Sequence, residues 1–378
     1  MQLSEEQILI RDSAQAFAQE RLAPGAAARD REKRFPHAEI AAMGELGLLG
    51  MLVPEAWGGA DAGFLAYALA MEEIAAADGS CAGIMSIQNG LVCRNLVVHG
   101  SEAQKERWLA DCAAGRVIGA FALTEAEAGS DAAAIRTRAR RDGGGYVIDG
   151  AKAFITNASV AGLAIVFAKT DPEAGRRGIS AFLVPTDSPG FAVTRIESKL
   201  GQHASDTCQL AFDGLRVPAD ALLGEEGAGY KIALSALEGG RIAIGAQALG
   251  LARAAYETAL GYAKERQVFG KAIIEHQVPS FRFADMATQL KASRLLVHHA
   301  AELKDAGQPC LKEASMAKLS ASEMAERVCS NALQIFGGYG YLEDFPLSRY
   351  LRDVRVCQIY EGSSDIQRLL IAREIARD

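Results

Sequence analysis

Apolar positions in the first third of the chain recur at helical spacing. Ser4 followed by Gln7 has the form of a capping box, and the helix behind it carries Ile8, Phe17 and Leu22. Pro54, Gly58 and Gly59 break Val53–Gly59 into a loop. An alanine-rich helix is predicted over about 62–77, and another over about 101–114, opening on Ser101 with Gln104 three residues on. Near residue 116 the period changes from helical to alternating. Tyr146-Val147-Ile148 runs into Asp149-Gly150, a hairpin-turn dipeptide. Leu163–Phe167 and Ile179–Val184 have strand composition, and Cys208, Leu210 and Phe212 alternate with Gln209 and Ala211 up to Asp213-Gly214. Short strands between turns predict a small barrel or sandwich. After Gly224–Gly229 the helical period returns. Ala314, Ala317, Ala321, Met324 and Val328 form one narrow apolar stripe. Helices near 228–264, 277–306, 311–336 and 363–376 predict a four-helix bundle, its last two members separated at Gly337-Gly338-Tyr339-Gly340. The expected fold is α+β and multidomain: an all-helical domain over 1–115, a β-barrel-like domain over 116–225, and a helical bundle over 226–378.

Composition narrows the function. A chain of 378 residues is too long for one ordinary core, and 49% hydrophobic with 23% charged residues is a normal soluble balance. A net charge of −7 without a basic patch argues against nucleic acid and against an anionic membrane surface. No apolar run reaches membrane-spanning length, and the acidic start Met1–Glu6 has no signal-peptide segment, so a cytoplasmic location is expected. Seven scattered cysteines form no CxxC pair, which fits a reducing compartment without disulfides or zinc. His298 and His299 are adjacent, diverge around a helix, and make a poor metal clamp, so no metal site is expected.

Candidate chemistry concentrates near the C-terminus. Glu361 sits between Tyr360 and Gly362, after Ile359, and just ahead of the N-cap candidates Ser363, Ser364 and Asp365. Apolar flanks would desolvate the carboxylate and raise its pKa toward that of a general base. A solvated Glu in a turn fits the same residues. Phe121–Asp131 is a strand entering a small-residue loop, where Thr124 and Ser130 offer hydroxyls. Lys152–Asn157 places an aromatic beside a hydroxyl, able to pack on a flat ring and bond its edge. Arg266–Gly270 closes one helix before Gln277 opens the next, and Arg suits a pyrophosphate, although a C-cap glycine explains the same run. Gln334–Tyr341 is glycine-rich but is not GxGxxG and follows a helix, so a Rossmann dinucleotide site is excluded.

In their order, FALTEAEAGSD, KAFITN, EGGR at 238–241, ERQVFG, QIFGGYG and IYEGSSDIQ resemble the acyl-CoA dehydrogenase family over nearly the whole chain. The resemblance implies FAD between the β domain and the C-terminal bundle. It places Phe121, Leu123, Thr124, Gly129 and Ser130, with Phe154, Ile155 and Thr156, around the isoalloxazine and ribityl chain. Arg266, Phe269, Gln277, Gln334, Ile335, Gly337 and Gly338 would grip the FAD of a neighbouring subunit, and Ser363, Ser364 and Asp365 its other end. A homotetramer of two dimers follows. Ser130, Glu238, Arg241, Tyr360 and Gly362 would contact the acyl-CoA. Glu361 would remove the α-proton while the β-hydride passes to flavin N5, the thioester carbonyl accepting bonds from a ribityl hydroxyl and from the N–H of Glu361. Electrons would then pass to an electron-transfer flavoprotein. Gly240 occupies a position where some relatives carry the base. Phe154 and His203 stand where many relatives have Trp and Arg. Met85–Asn89 and Glu238–Ile242 look closest to short-chain and short-branched-chain members, which implies a C4 to C5 substrate from fatty-acid or branched-chain amino-acid breakdown. An oxidase or monooxygenase on the same scaffold, or a non-catalytic acyl-CoA-binding protein, are the competing readings.

Overall fold

The computed structural model describes residues 2–377. The capping box forms as predicted, Gln7 N donating to Ser4 Oγ at 3.1 Å and Ser4 N to Gln7 Oε1 at 3.0 Å. It starts α1 (Glu5–Phe17), which passes through a π-helical turn, Ala18–Leu22, into α2 (Ala23–Glu32). The face it buries is Ala14, Ala18, Leu22 and Ala26; Ile8 stays exposed, so small residues rather than Ile8 set this contact. α3 (His37–Glu45), α4 (Gly63–Ala77), α5 (Gly79–Ser86), α6 (Arg94–His99) and α7 (Glu102–Ala113) complete the first domain, with a π-helical stretch, Ile87–Cys93, after α5. α4 is buried on every side from Phe64 to Ala77. It packs against α8 (Gly229–Glu265), where a Cβ on Gly250 would lie 2.2 Å from the Glu72 carbonyl oxygen; glycine is what lets the two helices cross.

The middle domain is an eight-stranded sheet: β1 (Gly119–Ala122), β2 (Arg138–Asp142), β3 (Gly145–Thr156), β4 (Leu163–Lys169), β5 (Ile179–Pro185), β6 (Phe191–Ile196), β7 (Thr207–Pro218) and β8 (Leu222–Leu223). The order is β6-β7-β3-β2-β4-β5-β8, with β1 parallel to β4. β4 shows why these strands read as continuous apolar runs. Leu163, Ile165 and Phe167 pack against Leu91, Leu96 and Ile232 of the helices, while Ala164, Val166 and Ala168 face a second core holding Tyr146, Phe182 and Phe212.

The hairpin turn expected at Asp149-Gly150 and the strand end expected at Asp213-Gly214 are both absent. β3 runs straight through Asp149-Gly150, and β7 continues past Asp213-Gly214 to Pro218. The register between them shifts from Ile148↔Leu215 to Gly150↔Phe212, and Gly214 N donates to Asp149 Oδ1 at 2.7 Å. Asp beside a positive-φ Gly serves a β-bulge as well as a tight turn. The true two-residue turn is Gly143-Gly144, joining β2 to β3. A second bulge lies between Lys152 and Ile155.

Inside that bulge the Lys152 side chain turns into the protein. Its ammonium donates to Glu125 Oε1 at 2.8 Å and to Leu123 O at 3.0 Å, and burial lowers its pKa to about 8 against the pull of Glu125. Removing one partner of a buried pair strands the other charge. Lys152→Met should therefore destabilise the protein by about 3 kcal/mol, read as a fall in the thermal midpoint; an unchanged midpoint contradicts this.

The C-terminal domain places α8, α9 (Gln277–Asp305), α10 (Leu311–Phe336) and α12 (Ser364–Ile375) close to the predicted spans. The stripe Ala314, Ala317, Ala321, Met324 and Val328 is buried. A short helix, α11 (Leu347–Val354), was not predicted. Nor was the hairpin β9 (Gln267–Val268)–β10 (Lys271–Ala272), whose turn, Phe269-Gly270, has both residues left-handed, at φ 49° and 80°. Gly270 is thus a turn residue, and Arg266 in extended conformation caps α8. Among the described residues no helix is long and apolar enough to cross a membrane. All seven cysteines are buried and free.

Candidate active site

Tyr360, Glu361 and Gly362 connect a 3₁₀ turn (Arg355–Gln358) to α12, whose N-cap is Ser363. Glu361 and Gly362 are both left-handed, at φ 53° and 95°. A non-glycine residue there is uncommon, and such strain persists only where surroundings enforce it. Gln367 Nε2 donates to Gly362 O at 2.9 Å and to Glu361 O at 3.4 Å, and Lys318 Nζ donates to Gly362 O at 2.5 Å. The Tyr360 hydroxyl donates to Gln247 Oε1 on α8.

This turn aims the Glu361 side chain at α8. A Cβ on Gly240 would lie 1.8 Å from Glu361 Oε2, so the absence of a side chain at 240 is the space the carboxylate occupies. Both Glu361 oxygens are out of solvent, although the residue as a whole is only half-buried, and neither has a hydrogen-bond partner among the described residues. The same holds for Arg241 Nε and Nη1, the Tyr67 hydroxyl and Ser86 Oγ. Burial raises the Glu361 pKa to about 7, against the opposing pull of Lys318 and Arg241. Ile359 is 56% exposed, so the expected apolar flank is not what desolvates the carboxylate; the packing against α8 is.

Glu361 forms part of the wall of a cavity of about 220 Å³ between β3, α5 and the 355–361 turn, with Ile87, Thr156, Gln202, Ile244 and Tyr360 also lining it. Thr156, Tyr360 and Glu361 are thereby brought together as the sequence implied. Other expected residues are elsewhere. The Phe121 ring packs on Phe167 with centroids 4.8 Å apart, and Leu123 and Ile155 are core residues, so their side chains do not reach the cavity. Thr124 is partly buried, its carbonyl accepting from Ala153 N at 2.9 Å; Gly129 and Ser130 lie exposed on the loop after it. The second bulge turns Phe154 outward, left-handed at φ 61° and 63% exposed. Glu238 is ion-paired with Lys304 at 2.5 Å. Ser364 Oγ is buried and unpartnered beside the turn, while Asp365 is exposed. Arg266, Phe269, Gln277, Gln334, Gly337 and Gly338 are exposed at the far end of the bundle, where Tyr262 stacks on Phe336 at 4.1 Å; Ile335 is buried there. His203 bonds Lys199 O at 2.8 Å and Asp30 at 3.1 Å, tying its loop to the first domain.

Sequence reasoning missed Lys318. It lies on the buried stripe of α10, one turn from both Ala314 and Ala321, and a lysine in an alanine stripe was the available signal.

A flat polar ring fits this cavity. Isoleucines flank it, Thr156 supplies a hydroxyl, and Glu361, whose buried oxygens have no partner among the described residues, forms part of its wall. That is the environment expected for the flavin implied above.

Comparison with known proteins gives the same answer over the full length. Three family models match in chain order: the acyl-CoA dehydrogenase N-terminal domain over residues 4–116, the middle domain over 120–215 and the C-terminal domain over 227–376. The mitochondrial short-chain specific acyl-CoA dehydrogenase of Bos taurus is 46% identical over 100% of this chain and 92% of its own. The structure of butyryl-CoA dehydrogenase from Megasphaera elsdenii superposes with a TM-score of 0.98 at 41% identity, covering 100% of both chains. A chain solved in work on the electron transferring flavoprotein of Acidaminococcus fermentans superposes at 0.99 with 44% identity, again covering 100% of both. The fold, the cavity and these matches agree: the chain belongs to the acyl-CoA dehydrogenase family.

Proposed function

We propose that the protein dehydrogenates a short-chain acyl-CoA thioester between Cα and Cβ, with Glu361 as the base. The family is FAD-dependent, and FAD when bound supplies the acceptor for the β-hydride. The observation that carries the reading is Glu361: both its carboxylate oxygens are buried and unpartnered among the described residues, and the residue forms part of the wall of the cavity that Thr156 also lines.

A thioester α-proton is weakly acidic, so its removal needs a desolvated base that is still ionised near neutral pH. Burial gives Glu361 that basicity, while Arg241 and Lys318 keep the anion accessible. The strained turn fixes where the carboxylate points, and Gly240 leaves it room. Thr156 and Tyr360 bound the space in which the acyl group and its acceptor meet. The N–H of Glu361 is the donor this reading assigns to the thioester carbonyl. Arg241 and Ser130 are assigned to the acyl-CoA, with Tyr360 and Gly362 at its reacting end. Glu238 acts through its Lys304 pair rather than as a base.

Names and positions of the relatives support the finer points. The bovine relative is short-chain specific and the Megasphaera protein acts on butyryl-CoA. We extend this to C4 and C5 acyl groups, straight or branched, in agreement with the isoleucine-lined cavity. The third relative was solved alongside an electron transferring flavoprotein, and we assign that partner as electron acceptor. Phe269 is 99% exposed at a hairpin tip, and Phe336, the last residue of α10 before Gly337, lies roughly 27 Å beyond Lys318 at 1.5 Å per residue. Arg266, Phe269, Gln277, Gln334 and Gly338 cannot touch a ligand at Glu361 of their own chain. They fit the cofactor site of a second copy, which supports a homo-oligomer, and we assign it as a tetramer of two dimers.

The test is colour. Purified protein should be yellow, and anaerobic butyryl-CoA should bleach it; a preparation that binds FAD and does not bleach overturns the proposal. The pH dependence follows from the raised pKa. Glu361 must be deprotonated to act, so kcat/KM for butyryl-CoA should rise with pH through about 7 and level off above it. A pH–rate profile with its acidic limb at the ordinary carboxylate value contradicts this.

A further inference from the structure

We propose that Lys318 is the positioning residue of this site: it anchors the Glu361–Gly362 turn through the Gly362 carbonyl and sets a buried positive charge beside the turn that carries the Glu361 carboxylate. The proposal rests on the reading of Glu361 as the base.

Three observations carry it. Lys318 is 1% exposed, on the face of α10 that otherwise presents Ala314, Ala317 and Ala321 to the core. A buried ammonium without a close partner is costly, and a core built for stability alone would hold a methionine or leucine there. Among the described residues no carboxylate lies within 4.0 Å of its Nζ, and its one acceptor is Gly362 O at 2.5 Å. That carbonyl belongs to the second of two successive left-handed residues. Holding that oxygen pins the C-terminal end of the turn from which the Glu361 side chain projects. Gln367 grips the same oxygen from α12, so donors from two helices converge on one strained peptide.

Charge gives the second role. The groups facing Glu361 are Lys318 from α10, Arg241 from α8, Tyr67 from α4, and its chain neighbour Tyr360. Cys357 lies near Lys318, but burial pushes its thiol up to about 12, so it carries no charge at neutral pH. Two cations thus serve one carboxylate. Arg241 is not bonded to the turn; Lys318 alone supplies both charge and anchor. Burial lowers the lysine to about 8 while Glu361 opposes that fall, so carboxylate and ammonium stabilise each other's charged forms.

The test is the pH–rate profile of the FAD-loaded Lys318→Met and Lys318→Arg variants with butyryl-CoA. An opposite charge at this range shifts a carboxylate by roughly one unit or more. Lys318→Met should move the acidic limb of kcat upward by about one unit, which from a midpoint of about 7 lowers kcat at pH 7 by about fivefold, with most of the loss recovered at pH 9 and KM changed less than about threefold. Lys318→Arg should keep the limb near the wild-type position. An unmoved limb, or an equal loss at every pH, overturns the proposal. Should the methionine variant not fold, the Lys318 Nζ signal can be titrated by ¹⁵N NMR in wild type and in Glu361→Gln. Loss of the anion should lower its midpoint by about one unit, and an unchanged midpoint overturns the proposal. Glu361→Gln also separates the two readings: if it turns over normally, the base is wrong; if it is inactive while the Lys318→Met limb is unmoved, only the role of Lys318 is wrong.

Discussion

Glu361→Gln should lower turnover with butyryl-CoA by roughly 10⁴-fold and, above neutral pH, make the protein more stable. The first effect follows from loss of the base. The second follows from linkage. Burial raises the Glu361 pKa from 4.5 to about 7, so the folded state binds its proton more tightly than the unfolded chain. Stability from this group is then full below pH 4.5 and is lost as pH rises through about 7. Two and a half units correspond to about 3 kcal/mol. Glutamine has no such ionisation, so the variant should match wild type near pH 4.5 and exceed it by up to about 3 kcal/mol at pH 8. Thermal midpoints at both pH values check this. An inactive variant that is equally or less stable at pH 8 would show that the carboxylate is not held against its ionisation.

Gly240→Ala should cost about 100-fold or more in kcat, because misplacing a reacting group by about 1 Å has effects of that order. The new Cβ would lie 1.8 Å from Glu361 Oε2, and the carboxylate must leave its place. FAD binding and KM should change far less, since the displaced group takes part in the chemical step. Gly261→Ala on the same helix is the control, because a Cβ there meets nothing within 4 Å. Wild-type kcat in Gly240→Ala would mean that the carboxylate has another productive position.

The helices were legible because their signals are local. The Ser4–Gln7 and Ser101–Gln104 capping boxes both form, and the alanine stripe of α10 is buried. Misreadings came where one local signal serves two geometries. Asp149-Gly150 and Asp213-Gly214 have turn chemistry but are bulged against each other, which only the pairing of β3 with β7 decides. α11 is short, and Phe269-Gly270 puts a bulky residue where a hairpin turn favours Asn or Asp. The site divides the same way. Glu361 stood out through its motif, yet what desolvates it comes from α8, far off in sequence, rather than from the exposed Ile359 beside it. Phe121 and Leu123 belong to a recognisable motif, while their side chains fill the core between sheet and helices. Lys318 looked like one more lysine on a long helix until its ammonium was found on the Gly362 carbonyl.

The central claim is that Glu361 takes a proton from the carbon next to a thioester. Acetyl-CoA has such a carbon and no β-carbon, so proton removal can be followed without oxidation. Incubated in D₂O with the FAD-loaded protein, its methyl group should acquire deuterium, by mass spectrometry, at a rate that rises with pH through about 7, and the Glu361→Gln protein should show only background exchange. Exchange at the wild-type rate in Glu361→Gln would contradict the account.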